Sequence, residues 1–238
     1  MEWQTYKLLN DFTTLDTSMN AIDLITYDIP PLVHSDSGDK AMNWMDEFKV
    51  SHLPVLKNGN YVGLVSETDI LDKLDFDRTL DELFQHLPRP YVKSDAHLFE
   101  ILSKISEFKI SVMPILDHEE KYLGCTNIFE LMTTIANTAS IKDNGGILVL
   151  EVSQSDYSMS QIAQIVESNN AKILSSTILS DPSSTNLDVT LKINQEDLTA
   201  IIRTFERYDY LVKAEYQNGM GSDDLKWRYD ALMNYLKY

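Results

Sequence analysis

Short apolar runs, punctuated by Pro, Gly and capping polar residues, fill the first half of the chain, and the same order of runs appears twice. In the first copy, Leu32-Val33 is a brief extended piece. Ser37 is a competent N-cap, and Ala41, Met42, Met45 and Phe48 recur at helical spacing behind it, predicting a helix to about Lys49. Leu53-Pro54-Val55-Leu56 predicts a strand. Asn58-Gly59 predicts a tight hairpin, because both residues tolerate positive φ, and Tyr61 to Val65 predicts the returning strand. Ser66 then opens a second helix reaching about Leu74.

The second copy follows in register. Pro90-Tyr91-Val92 matches Pro31-Leu32-Val33, and Ile101, Ile105 and Phe108 match Ala41, Met45 and Phe48. Met113-Pro114-Ile115-Leu116 matches Leu53-Pro54-Val55-Leu56, and Gly124-Cys125-Thr126-Asn127-Ile128-Phe129-Glu130 matches Gly63-Leu64-Val65-Ser66-Glu67-Thr68-Asp69. The offset grows from 59 (31 to 90) to 60 (53 to 113) to 61 (63 to 124), which needs two single-residue insertions. Two β-α-β-β-α copies are too few for a solenoid, so a closed pair is expected. Repeat 1 spans about 28–74 and repeat 2 about 88–136, within a paired region 19–137. Thr79-Leu80-Asp81-Glu82 reads as the capping box of a short helix between them.

A polar linker, 138–145, ends in Asn144-Gly145, and the pattern then changes. Over 146–217 the order is β-α-β-β-α-β. Ile147 to Val152 is a strand, and Ser158 caps a helix faced by Ile162, Ile165 and Val166. Lys172 to Leu179 is a strand, and Leu187, Val189, Leu191 and Ile193 alternate as the next. Asn194 is expected to cap a helix faced by Leu198, Ile201, Ile202 and Phe205, and Tyr210 to Tyr216 closes the unit. The fold class is therefore mixed α+β: two repeats, a split βαβ (ferredoxin-like) unit, and a C-terminal helix at 218–238 carrying an apolar stripe of Leu225, Tyr229, Leu232, Met233 and Leu236. Residues 1–18 form a weakly patterned N-terminal extension.

Composition narrows the function classes. The 238 residues carry 37 acids against 20 Lys and Arg, a formal charge of −17, which disfavours nucleic-acid polymers and anionic membranes as partners. No apolar run approaches a bilayer span, no signal peptide is visible, and the lone Cys125 reads as a small buried hydrophobe, so a cytoplasmic location is expected. His34, His86, His97 and His118 are scattered without ligand spacing, and no nucleophile–base arrangement stands out, so neither a metal nor an enzyme activity is expected.

The paired repeats closely resemble a tandem CBS pair, or Bateman module. The carrying residues are Ser51-His52-Leu53-Pro54-Val55 with Gly63 to Asp69, and Ser111-Val112-Met113-Pro114-Ile115 with Gly124 to Glu130. Residues 146–217 are similar to an ACT-like domain, and the combination is similar to acetoin-utilisation-type regulatory proteins. The resemblance implies an adenosine ligand such as AMP, ADP or ATP, with no cofactor required. Ser66 would donate to phosphate and Asp69 would accept from ribose, with Leu32, Val33, His52, Leu53 and Pro54 around the base. A weaker second site would use Asn127, Glu130, Met113 and Pro114. Arg78, Arg89 and Lys93 are the cations placed to meet phosphate. The resemblance further implies a dimeric regulatory protein that signals to a protein target through domain or dimer rearrangement. The turn Gln154-Ser155-Asp156-Tyr157-Ser158 lacks the Gly common in amino-acid-binding ACT domains, so self-association is expected of that unit. A plainer reading explains the same residues: Ser66-x-x-Asp69 and Asn127-x-x-Glu130 are both good helix caps, worth about 1 kcal/mol each without any ligand, which would suit a ligand-free dimeric scaffold.

Overall fold

The computed structural model describes residues 19–216 except Leu74 and Ala139. The expected N-terminal extension and C-terminal helix lie outside the described residues. The chain divides into two compact units, one ending at Thr134 and the other beginning at Ile135.

The first unit contains both repeats. Repeat 1 comprises β1 (Leu32–Val33), α1 (Gly38–Phe48), β2 (His52–Lys57), β3 (Asn60–Ser66) and α2 (Glu67–Lys73), followed by the short α3 (Leu80–Leu83). Repeat 2 comprises β4 (Val92–Lys93), α4 (Leu98–Phe108), β5 (Val112–Leu116), β6 (Tyr122–Asn127) and α5 (Ile128–Thr138), the last of which runs across the division. Each repeat builds a three-stranded sheet, β1-β2-β3 and β4-β5-β6. The registers correspond: Leu32 lies opposite Val55 as Val92 lies opposite Ile115, and each hairpin has its irregularity after that residue.

Local chemistry accounts for the element ends. The Ser37 hydroxyl accepts from the Lys40 N–H, and Thr79 with Glu82 closes the capping box of α3. Asn58 and Gly59 both take positive φ (53° and 80°), as a tight hairpin requires. Ala41 and Met45 on α1, and Ile101 and Ile105 on α4, are buried, whereas Phe108 is 51% exposed. The helical period identified the inner stripe, but α4 turns its last aromatic outward. The core of repeat 1 joins Leu32, Leu53, Val55, Val65 and Ile70 to Val112 and Cys125 of repeat 2, so the two sheets share one interior.

Cys125 is fully buried and its thiol is pushed up to about 11 by burial, as suits a small hydrophobe.

Each repeat is also clasped by the segment that precedes the other. The Thr26 N–H donates to the Cys125 carbonyl of β6 (2.9 Å), and the Leu64 N–H of β3 donates to the Pro88 carbonyl (2.8 Å). Asn20 bridges to His97 as Ser37 bridges to Thr79. These paired contacts are related by offsets of 59 to 62 residues, close to those of the repeats.

The second unit has β7 (Gly146–Ser153), α6 (Met159–Ser168), β8 (Ile173–Ser180), β9 (Asn186–Ile193), α7 (Thr199–Arg207) and β10 (Leu211–Tyr216). Its antiparallel sheet runs β10-β7-β9-β8, the ferredoxin-like order. Leu148, Leu150, Val189, Leu191 and Ile193 form the buried sheet face, covered by Ile162, Ile165, Val166, Ile201 and Phe205. The cap of α7 differs from expectation. Asn194 instead accepts from the Lys172 N–H (2.7 Å), tying β9 to the start of β8, and Asp197 accepts from the Thr199 N–H (2.9 Å) where the helix begins. A side chain that joins two strands is not free to cap, so the next carboxylate takes that role.

Candidate functional site

The Ser66 turn joins β3 to α2, and its polar groups close on each other. The Ser66 hydroxyl donates to Asp69 Oδ2 (2.6 Å), the Ser66 N–H donates to the same oxygen (3.2 Å), and the Asp69 N–H donates to Ser66 Oγ (3.0 Å). This is a reciprocal cap, with Asp in the place usual for Glu. The Glu67 N–H donates to the Ser51 carbonyl (3.0 Å), which pins the turn to the start of β2. In repeat 2 the Asn127 side-chain oxygen accepts from the Glu130 N–H (2.9 Å), and the Ile128 N–H donates to the Ser111 carbonyl (3.3 Å).

Both turns therefore abut one seam, where the starts of β2 and β5 meet. The Ser51 N–H donates to Ser111 Oγ (3.0 Å) and the Ser111 N–H donates to His52 Nδ1 (3.2 Å). The hydroxyls of Ser51 and Ser111 lie 3.0 and 3.2 Å from that same ring nitrogen. The symmetry of the repeats breaks here, because Val112 stands where repeat 1 has His52 and cannot accept. Burial holds the His52 imidazole below its usual value, opposed by the nearby Asp69 carboxylate. A neutral ring suits an Nδ1 that receives a backbone N–H.

A cleft of about 410 Å³ opens beside the seam, lined by Met42, Met45, Asp46, Lys49, Val50, Ser51, Glu67 and Ser111. Lys49 ends α1 in the left-handed conformation (φ 55°), where Gly or Asn is favoured, and Lys109 does the same after α4 (φ 53°). Ser51 and Ser111 open the two repeated motifs but were not among the expected site residues, and neither was Lys49. The signal for Lys49 was a Lys at each helix C-terminus where a Gly would be expected.

The structure gathers Ser66, Asp69 and His52, since His52 lies opposite Ser66 across β2 and β3. It does not bring Leu32 and Val33 to them. Those residues pair with Val55 and Leu56, three and four positions along β2, about 10 Å away at ~3.3 Å per residue. Leu32, Leu53 and Met113 are fully buried, and Pro54 and Pro114 are buried with them, while Val33 is exposed. Asn127 and Glu130 sit at the other side of the seam, with Asn127 opposite Val112.

The three cations expected near phosphate are engaged elsewhere. Arg78 lies 3.9 Å from both Asp75 and Glu82, Arg89 pairs with Glu120 (2.8 Å), and Lys93 donates to the Asp117 carbonyl (2.9 Å). Among the described residues, no group of three or more His, Cys, Asp or Glu is placed to hold a metal ion, and no helix is long and apolar enough to cross a membrane.

Residues 21–75, a stretch that includes the Ser66 turn, match the CBS domain family, and the second repeat reproduces the element order and register of that stretch. No curated protein matches the chain. Among solved structures, it is similar to a CBS domain pair/ACT domain protein from Thermotoga maritima (21% identity, 50% of this chain and 98% of that one, TM-score 0.45). It is also similar to an acetoin utilization protein, AcuB, from Vibrio cholerae (22%, 52% and 94%, TM-score 0.45) and to CBSX2 in complex with AMP (22%, 50% and 96%, TM-score 0.43). At these identities and TM-scores, none of the three bears on what this chain binds.

Proposed function

We propose that the first unit binds an adenosine-type ligand at the inter-repeat seam, on the side of the Ser66 turn, and that the protein is a non-catalytic regulator. The observation that supports this is the placement of the Ser66–Asp69 turn against a seam shared by both repeats. A ligand there touches two sheets at once, and a ligand that favours one arrangement of them shifts the population toward it. Ser51, Ser111 and Lys49 offer donors along the cleft, and Asp69 Oδ1 faces no partner among the described residues and can accept from a ribose hydroxyl. The regulator acts as a dimer on a protein target, and the change at the seam is what that target reads.

The test is calorimetric titration with adenosine, AMP, ADP, ATP and S-adenosylmethionine, on the wild-type chain and Asp69→Ala. Binding by at least one of them, weakened about tenfold or more by the loss of a charged acceptor, supports the reading. Silence from all five removes it.

One observation favours a second reading, a ligand-free dimeric scaffold. Ser66 and Asp69 cap the helix reciprocally through Ser66 Oγ and Asp69 Oδ2, so their residue types are accounted for without a ligand. That reading expects a dimer by light scattering whose melting temperature is indifferent to every nucleotide.

A further inference from the structure

The charges around the Ser66 turn restrict which adenosine ligand the seam can take, an inference that rests on the nucleotide reading above. A polyphosphate needs cations or free backbone N–H groups. Neither is offered. The N–H groups of Ser66, Glu67 and Asp69 all donate within the protein. The helix α2 has only seven residues and already carries Glu67 and Asp69 in its first turn. Of the cleft's lining residues, Lys49 is the cation, and its ammonium pairs with Asp46 (2.8 Å). The carboxylate of Glu67 has no partner among the described residues and stands exposed at the cleft. Arg78, Arg89 and Lys93 line none of it. With His52 neutral, the cleft and turn keep the uncompensated charges of Glu67 and Asp69, in a chain of net −17. Repeat 2 has Ile128 where repeat 1 has Glu67, so this acid belongs to one side of the seam.

We propose that the seam beside α2 selects among adenosine ligands by the charge of the 5′ substituent. It accepts adenosine with a neutral or cationic 5′ group and rejects a polyphosphate, and Glu67 is the residue that sets the difference. Like charges held close at a partly dry surface repel strongly enough to matter, and the repulsion falls with salt.

The experiment is calorimetry in magnesium-free buffer with adenosine, S-adenosylmethionine, AMP and ATP, at low and moderate ionic strength. Adenosine and S-adenosylmethionine bind, and ATP binds at least about tenfold more weakly, consistent with the repulsion of a single close like charge. Raising the salt strengthens ATP binding, the opposite of a phosphate site. Glu67→Gln narrows the gap and Glu67→Lys inverts the order, and because the side chain is exposed, both variants keep the fold. ATP binding tightest to the wild type, or a ratio unchanged in Glu67→Gln, overturns the charge selection and leaves the nucleotide reading standing. If none of the four binds, the nucleotide reading itself falls and takes the selection with it.

Discussion

The two pseudo-equivalent glycines, Gly63 and Gly124, separate what the repeat shares from what it does not. Both have φ of 159°, so backbone effects and unfolded-state effects of Gly→Ala are the same in each and cancel in the comparison. Their neighbours differ. A Cβ on Gly63 would press on Leu87 Cβ and come 2.8 Å from the Pro88 carbonyl oxygen, so the 87–88 backbone must move. That movement also strains the Leu64 N–H to Pro88 bond (2.8 Å). Overpacking costs ~1–3 kcal/mol and a lost hydrogen bond ~1, so Gly63→Ala is expected to cost about 2–4 kcal/mol. A Cβ on Gly124 would meet Ile25 Cγ2 at 2.6 Å, with that side chain's other atoms at 3.6 Å. A methyl-bearing side chain can rotate, so Gly124→Ala is expected to cost about 1 kcal/mol, the low end of overpacking. Urea unfolding followed by circular dichroism measures both, with hydrogen exchange of β3 and β6 amides to assign the loss. At ~2–4 °C per kcal/mol, the melting temperatures should differ by roughly 2–12 °C. If Gly124→Ala costs as much as Gly63→Ala, the clasping of β3 by the 87–88 backbone is not what constrains Gly63.

Three further outcomes follow from particular contacts. Ser66→Ala removes the hydroxyl that caps α2 and should lower the stability of the first unit by about 1 kcal/mol in ligand-free protein, seen as an earlier urea midpoint with unchanged slope. His52 has a depressed value in the folded state, so its contribution is fully present above its unfolded value near 6.5 and is lost as pH falls through the folded one. Stability of the first unit should therefore drop on acidification below about pH 6.5, and His52→Gln should flatten that part of the profile; a profile identical in both proteins would show that the seam histidine is not linked to folding. Gly145 has φ of 147°, and a Cβ there would collide with the Ile193 carbonyl, so Gly145→Ala should destabilise the second unit by about 3 kcal/mol or more while leaving the seam's exchange protection unchanged.

Much of the fold was legible from the chain. The doubled order of apolar runs, the Asn58-Gly59 turn and the alternation of Leu187 to Ile193 are local signals, and local periodicity decides which face of a strand or helix is apolar. The β-α-β-β-α repeats and the βαββαβ unit follow from that order. The reading of the Ser66 turn as a helix start was equally local, because a hydroxyl and a carboxylate three residues apart suit a reciprocal cap across a first helical turn.

Tertiary structure decided what those residues face. Nothing local places Ser111 on His52, sets the 87–88 backbone against Gly63, or sends Asn194 to β8 instead of to its own helix. These contacts join segments separated by 22 to 59 residues, and they exist only once both repeats and both sheet edges have closed. Long-range pairing of this kind also seats Leu32 and Val33 beside Val55 and Leu56, and sets Arg89 against Glu120. The sequence by itself determined the elements, their capping residues and their apolar faces. Only the folded chain settled which polar groups remain uncommitted at the seam, because hydrogen-bond satisfaction and net local charge depend on neighbours that are distant along the backbone.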